Sequence, residues 1–188
     1  MTEELFKNYY RVQSSRAVWH EYNGGTYFVT ICTKNREHYF GRIENKEMCF
    51  SKIGEYAQMC IQQISMHNPY AEIPLWVVMP NHIHAIVVID GGKTGDCRDV
   101  PWRVSTWRVS TGGKNIKMQN VANKQGKLST MIGGFKQSVT RYANGLGIPF
   151  AWQPRFHDHI IRDVIEMNRI AEYIEQNVAQ WTCDNFYI

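Results

Sequence analysis

Apolar positions along the chain recur with two periods, and the switches between them mark out the elements. Gly24-Gly25 opens TYFVTICT (Thr26–Thr33), a β-branched and aromatic run that predicts a buried central strand. Tyr39–Ile43 and Glu47–Phe50 flank Glu44-Asn45-Lys46 and predict a hairpin. Ser51 is placed to cap a helix in which Ile53, Ala57, Cys60, Ile61 and Ile64 keep helical spacing to about His67, where Asn68-Pro69 stops it. Two apolar runs, Ile73–Met79 and Ile83–Ile89, then read as strands joined tightly through Pro80-Asn81. Leu128, Met131, Ile132, Phe135, Val139 and Tyr142 mark an amphipathic helix ending near Asn144-Gly145, with Gly133-Gly134 as a point of close packing or bending. Phe150–Trp152 and Phe156–Ile161 read as short strands or extended connections. Asp163, with Glu166 as capping-box partner, starts a last helix whose stripe is Met167, Ile170, Ala171, Ile174 and Val178. This order predicts an α+β fold, a mainly antiparallel sheet with helices on one face.

Residues 1–23 form a polar and aromatic arm containing Arg11 and Arg16, and residues 91–126 form a long loop rich in Gly, Lys, Asn, Thr and Ser. The loop holds an exact duplication, WRVST-WRVST, at Trp102–Thr111, which reads as a tolerated insertion, disordered in part. The 188 residues suit a single domain spanning 1–188. The net charge of +4 is unevenly placed. From Gly91 to Arg141 there are ten basic residues against two acidic ones, whereas the remainder has eleven basic and fifteen acidic. A basic segment on an acidic body suits a polyanion partner or a solvated loop. The five scattered cysteines form no CxxC pair and read as free thiols in or near the core. No apolar run is long enough to cross a bilayer, and the N-terminal MTEELFKNYYR is not a signal peptide, so a cytoplasmic protein is expected.

The sharpest chemical signal is Pro80-Asn81-His82-Ile83-His84. On a strand His82 and His84 share a face, about 6.6 Å apart, and can converge on one divalent ion. Tyr173 and Asn177 lie four apart on the last helix. Asn177 can offer a carbonyl oxygen to such an ion, and Tyr173 can stand beside it as a nucleophile or be an ordinary half-buried tyrosine. A metal that grips a phosphate oxygen, next to an aligned phenol, suits phosphodiester exchange through a covalent phosphotyrosine. No GxxxxGK[ST] loop supplies external energy, and this chemistry needs none. A second His-x-His, His157-Asp158-His159, competes for the metal; Asp158 would have to face a packed layer, so a capping or hydrogen-bonding role is favoured, with a DNA contact as the alternative. Arg16, Arg103, Arg108, Lys127, Lys136 and Arg141 are candidate phosphate contacts, and Trp102 and Trp107 either pack the loop against the body, the favoured role, or stack on unpaired bases.

The segments WHEYNGGTYFVTICT, VVMPNHIHAIVVID, FKQSVTRYAN and FHDHIIRD, followed by YIEQN and Trp181, stand in the order found in REP-associated tyrosine transposases. The chain resembles that family, of the single-tyrosine HUH transposases of insertion sequences, from about Arg16 to Trp181. The resemblance implies a ferredoxin-like fold. It implies that His82, His84 and Asn177 hold Mg²⁺ or Mn²⁺, and that Tyr173 forms a 5′-phosphotyrosine link and frees a 3′-hydroxyl. The implied substrate is single-stranded DNA with hairpins, handled by a monomer or homodimer. Val178 stands where relatives often have proline after the asparagine, and the duplicated WRVST segment departs from the family pattern. Two rivals are a domesticated hairpin-DNA-binding protein without strand transfer and a metal-dependent phosphodiesterase that uses water.

Overall fold

The computed structural model describes residues 22–92, 126–184, 186 and 187. Four strands form one antiparallel sheet: β1 (Gly25–Cys32), β4 (Ala71–Val78), β5 (His82–Ile89) and β6 (His157–Ile160), in the order β4-β5-β1-β6. A separate hairpin, β2 (Gly41–Glu44) and β3 (Glu47–Phe50), is inserted after β1. The helices are α1 (Lys52–Gln62), α2 (Ile64–His67), α3 (Lys127–Gly145) and α4 (Val164–Gln176). Without the hairpin, the order strand–helix–strand–strand–helix–strand is the ferredoxin-like pattern that the resemblance implies.

Local chemistry places each element. The hairpin turns on Asn45 and Lys46, both at positive φ (51° and 64°), a two-residue turn whose twist suits paired strands. Ser51 Oγ accepts from Gly54 N at 3.1 Å and caps α1. Gly54 is required there, since a Cβ would stand 2.1 Å from the Phe40 carbonyl oxygen. The expected helix to His67 is interrupted at Gln63 and closes as α2. Gly133 does not mark a point of close packing, because a Cβ there would meet nothing within 4 Å.

The sheet has two differently covered faces. Tyr27, Val29 and Ile31 of β1 join Ile83, Ala85, Val87 and Ile89 of β5 on one face, under α1 and α3. Phe28, Thr30, His82, His84 and Ile86 point the other way, where Ile86, Ile161 and Ile174 form a smaller apolar cluster. Here α4 packs against β4 and β5. The helices therefore lie on both faces rather than one. The physical reason is β5, which is buried along both of its sides and so needs a layer on each. The expected stripe on α4 is correspondingly thin. Only Ile174 is fully buried, Met167 is 38% exposed and Val178 falls beyond the helix. Its N-terminus follows expectation, with Asp163 Oδ1 accepting from Glu166 N at 2.8 Å. Among the described cysteines, all free, Cys32 and Cys60 are half-buried, but Cys49 and Cys183 are exposed rather than in the core. The arm bearing Arg16 and the segment bearing Cys97, Trp102, Arg103, Trp107 and Arg108 lie outside the described residues.

Because α4 is held to the sheet through so few side chains, Ile174→Ala should loosen it selectively. The expected cost is about 2–5 kcal/mol. Hydrogen exchange should quicken across Val164–Gln176 while β1 and β5 amides keep their protection; uniform acceleration over the whole sheet would contradict this picture.

Candidate metal centre

The sequence Met79-Pro80-Asn81 turns β4 into β5 so tightly that Met79 N donates to the His82 carbonyl at 2.9 Å. Strand alternation then puts both imidazoles on the α4 side, and both are fully buried (0% and 1% exposed). Each Nδ1 has a partner. His82 Nδ1 lies 2.8 Å from Asn81 Oδ1, and His84 Nδ1 lies 2.8 Å from Thr30 Oγ1 on the paired strand. Asn81 Nδ2 donates to the Phe186 carbonyl at 2.9 Å, which leaves its Oδ1 to accept; His82 Nδ1 therefore carries the proton. Its Nε2 is then a bare lone pair, buried and without a hydrogen-bond partner.

The tyrosine helix and the chain's tail close the other side. Tyr173 Oη lies 3.2 Å from His84 Nε2 and donates to Asp184 Oδ2 at 3.4 Å. Asn177 Nδ2 donates to the same carboxylate oxygen at 2.8 Å, while Asn177 Oδ1 is buried with no hydrogen-bond partner. Asp184 Oδ2 stands 4.0 Å from His82 Nε2, and one ligand atom from each of His82, His84 and Asp184 lies within 4.8 Å of the others. This group could hold a metal ion. Two buried acceptors without donors, a carboxylate and imidazoles poised as lone-pair ligands are the donor set a divalent cation takes. The Phe186 ring covers the imidazoles, its centroid 4.5 Å from His82 and 5.7 Å from His84, and the Arg36 guanidinium sits 5.0 Å above that ring.

Burial sets the protonation states. His82 is lowered to about 2, first by desolvation and then by the neighbouring His84 and Arg36. His84 is lowered to about 4 by desolvation, opposed in part by the Asp184 carboxylate. The Tyr173 phenol is pushed up to about 12 by desolvation and next by Asp184. With His82 neutral, its approach to Asp184 is not an ion pair.

The sequence brought forward His82, His84, Tyr173 and Asn177, and the fold gathers all four within one chain. It missed Asp184, Thr30, Asn81 and Phe186. Asn81 and Thr30 follow from the strand pairing; Asp184 and Phe186 lie in a short tail with no periodic signal. Of the expected phosphate contacts, Lys127 Nζ donates to the Asp90 and Gly91 carbonyls, both at 3.0 Å, and Lys136 Nζ donates to those of Gln153 and Arg155 at 2.8 and 2.7 Å. Burial lowers Lys136 to about 8. Arg141 is exposed on α3, the helix on the opposite side of the sheet. His157 and His159 lie on β6, paired with Thr30 and Phe28, so they share the face of His82 and His84. Asp158 faces the packed side and is buried, and His159 Nε2 bonds Glu166 Oε1 at 2.7 Å, the hydrogen-bonding role favoured from sequence.

The metal-free protein should lose stability in acid. Both histidines have folded values below the ordinary 6.5, so below that pH the unfolded chain takes up protons that the folded chain refuses. Stability is full above about pH 6.5 and falls as pH drops toward 4, with His84 alone contributing roughly 3 kcal/mol over that window. Urea unfolding with a chelator at a series of pH values measures this. A His84→Asn variant should show a shallower acid loss, and an unchanged slope would mean that the imidazole is not buried as described.

No family model matches the chain. It is 33% identical over 165 residues to an uncharacterized protein of Haemophilus influenzae, covering 87% of this chain and 86% of that protein. It is 23% identical over 173 residues to the REP-associated tyrosine transposase of Escherichia coli K12, covering 87% of this chain and 78% of that one. The solved structure of a REP-associated tyrosine transposase bound to a REP hairpin superposes with a TM-score of 0.57 at 19% identity, covering 94% of this chain and 76% of that one. In sequence and in fold, the chain is similar to REP-associated tyrosine transposases.

Proposed function

We propose that the protein is a metal-dependent single-stranded DNA transposase, which nicks and rejoins DNA at hairpin sites through a 5′-phosphotyrosine intermediate. The observation that carries this reading is the placing of the Tyr173 phenol 3.2 Å from His84 Nε2, at the mouth of a buried donor set. His82, His84 and Asn177, joined by Asp184 while the tail is docked, would hold Mg²⁺ or Mn²⁺. Bound there, a divalent cation supplies Lewis-acid polarisation of a phosphate oxygen and favours the phenolate.

The chain's own residues do the rest. Asn81 and Thr30 fix the imidazole rings through Nδ1 and leave the Nε2 atoms facing the reaction space. Tyr173, 41% exposed, is the part of the site open to a strand. Its oxygen forms a bond to phosphorus as the bond from phosphorus to the 3′-oxygen breaks; the phenol loses a proton and the departing 3′-oxygen gains one. With the His84 Nε2 lone pair committed to the cation, Asp184 Oδ2 at 3.4 Å is the acceptor in reach of that proton. One phosphodiester linkage replaces another, so the exchange is reversible and a second 3′-hydroxyl can rejoin the strand. The hairpin held by the structural neighbour supports a hairpin partner for this chain. Arg16, Arg103, Arg108, Lys127, Lys136 and Arg141 remain the proposed contacts; Lys127 would exchange carbonyls for phosphate, and Lys136 would keep its two carbonyls and reach a phosphate through its third N–H.

A second reading, a hairpin-binding protein without strand transfer, is favoured by the Phe186 ring lying over both imidazoles. Incubating the protein with Mn²⁺ and labelled single-stranded hairpins separates the two. The first reading expects a labelled band that survives denaturation, lost in Tyr173→Phe while hairpin binding stays within about twofold. Binding without any adduct selects the second reading. Independently of activity, Mn²⁺ at 100-fold over its dissociation constant should stabilise the protein by about 2.7 kcal/mol. His82→Ala should abolish that gain, and equal stabilisation of the variant would remove His82 from the ligand set.

A further inference from the structure

Neither the metal centre nor the tyrosine uses the second His-x-His, yet the sheet places it beside them. β6 pairs with β1 so that His157 stands opposite Thr30, and β1 pairs with β5 so that Thr30 stands opposite His84. Directly opposed residues of antiparallel strands share a face. Val77, His84, Thr30 and His157 therefore form one row across the sheet, with His157 two strand spacings, about 9.6 Å, from His84. Their electrostatic coupling agrees with this placement: His157 is among the groups that lower His84. α4 packs against β4 and β5, but His157 and His159 remain exposed on β6.

The exposed β6 edge beside the metal centre forms the wall of a shallow surface trough along this row, with buried Thr30 and half-buried Phe28 lying between it and His84. The wall is held from both ends. Lys136 Nζ grips the carbonyls of Gln153 and Arg155, and Arg155 takes a left-handed backbone conformation (φ 65°) two residues before His157. Beyond His157, His159 is tied to Glu166, whose other carboxylate oxygen accepts from Arg162 N at 2.9 Å. The acid nearest in sequence, Asp158, points to the opposite side of the sheet and is buried. Its charge therefore does not face the trough, and the Glu166 carboxylate is hydrogen-bonded to His159 and to the Arg162 amide.

We propose that this trough is the seat of the single strand flanking the scissile phosphate, and that His157 donates an imidazole N–H to a backbone phosphate within a nucleotide or two of it. The inference rests on the reading of the site as a DNA strand-transfer centre, and it adds the path of the substrate. A rigid wall carrying one unengaged imidazole costs little ordering on binding, which suits a residue that positions rather than reacts. Phe28, half-buried and stacked on His84 at 5.1 Å, ties this row to the metal centre.

The test is designed to be independent of cleavage. Binding of fluorescein-labelled oligo(dT) is followed by anisotropy, with EDTA present and the full chain used throughout. His157→Ala should weaken binding about tenfold, the effect of losing one phosphate hydrogen bond. His157→Glu should weaken it further by setting like charges together, and His157→Lys should restore it. His67→Ala, on α2 at the opposite face, is the control and should bind as wild type. Melting temperatures within a degree or two verify that the variants fold. Unaltered binding by His157→Ala and His157→Glu, or no binding of the single strand by the wild type, overturns the trough. If His157 governs binding but no phosphotyrosine adduct forms with Mn²⁺, the trough stands and the strand-transfer reading falls. If the adduct forms and the His157 variants bind normally, the trough alone falls.

Discussion

The site depends on the burial of two neutral imidazoles in a sheet face, each fixed at Nδ1, with His82 Nε2 left without a partner and His84 Nε2 meeting only the Tyr173 phenol. An imidazole taken wholly out of water needs a hydrogen-bond partner at each ring nitrogen or carries the cost of a bare one. Asn81 and Thr30 meet half of that requirement for His82 and His84. Because the Asn81 amide is itself oriented by the Phe186 carbonyl, the unmet half of His82 is a lone pair, not a proton. A site that could hold a cation follows from that hydrogen-bond geometry, and so do the depressed histidine values, since the surroundings that exclude water also exclude a charge on the ring.

The two faces of the sheet divide the work of the molecule. The side under α1 and α3 carries most of the apolar burial and makes the sheet rigid. The side under α4 carries the polar constellation and is held by a small cluster around Ile86, Ile161 and Ile174. A helix fixed by so few contacts can bring a side chain to the imidazoles without being locked there. Asp184 then acts as a bridge. It receives hydrogen bonds from Tyr173 and Asn177 and lies near His82, so the tail, the helix and the strand meet at one carboxylate. Its charge also keeps the phenol protonated, in opposition to the ionisation that a nucleophile needs.

Much of this was legible in the chain itself. Strand alternation alone put His82 and His84 together and Ile83 in the opposite layer, and helical spacing put Tyr173 and Asn177 on one face of α4. The caps at Ser51 and Asp163 were readable for the same reason: each is a local interaction within one turn. What was not legible required long-range information. The side of the sheet on which α4 lies depends on β5 being buried on both faces, a pattern that does not distinguish a central strand's two neighbours in space. The thinness of the α4 stripe could not be seen because Met167 and Val178 have the right residue type, yet Met167 is exposed and Val178 lies past the helix end. Asp184 acts through a tail that folds back across the sheet, and no periodicity marks such a return. Lys127 and Lys136 were read as phosphate ligands from charge alone, whereas the nearest acceptors for both are backbone carbonyls.

The ammonium of Lys127 has a consequence for how such a chain can vary. It fastens the start of α3 to the carbonyls of Asp90 and Gly91, where β5 ends, so the chain leaves and rejoins the sheet at one point. Whatever length of polypeptide runs from 92 to 126, its two ends are pinned together and neither the paired histidines nor α3 feels the difference. Lengthening a closed loop is thermodynamically mild, with each doubling costing about 0.6 kcal/mol. The duplicated WRVST stretch falls within this span. Residues inserted between 92 and 126 therefore cost the sheet, the histidine pair and α3 little.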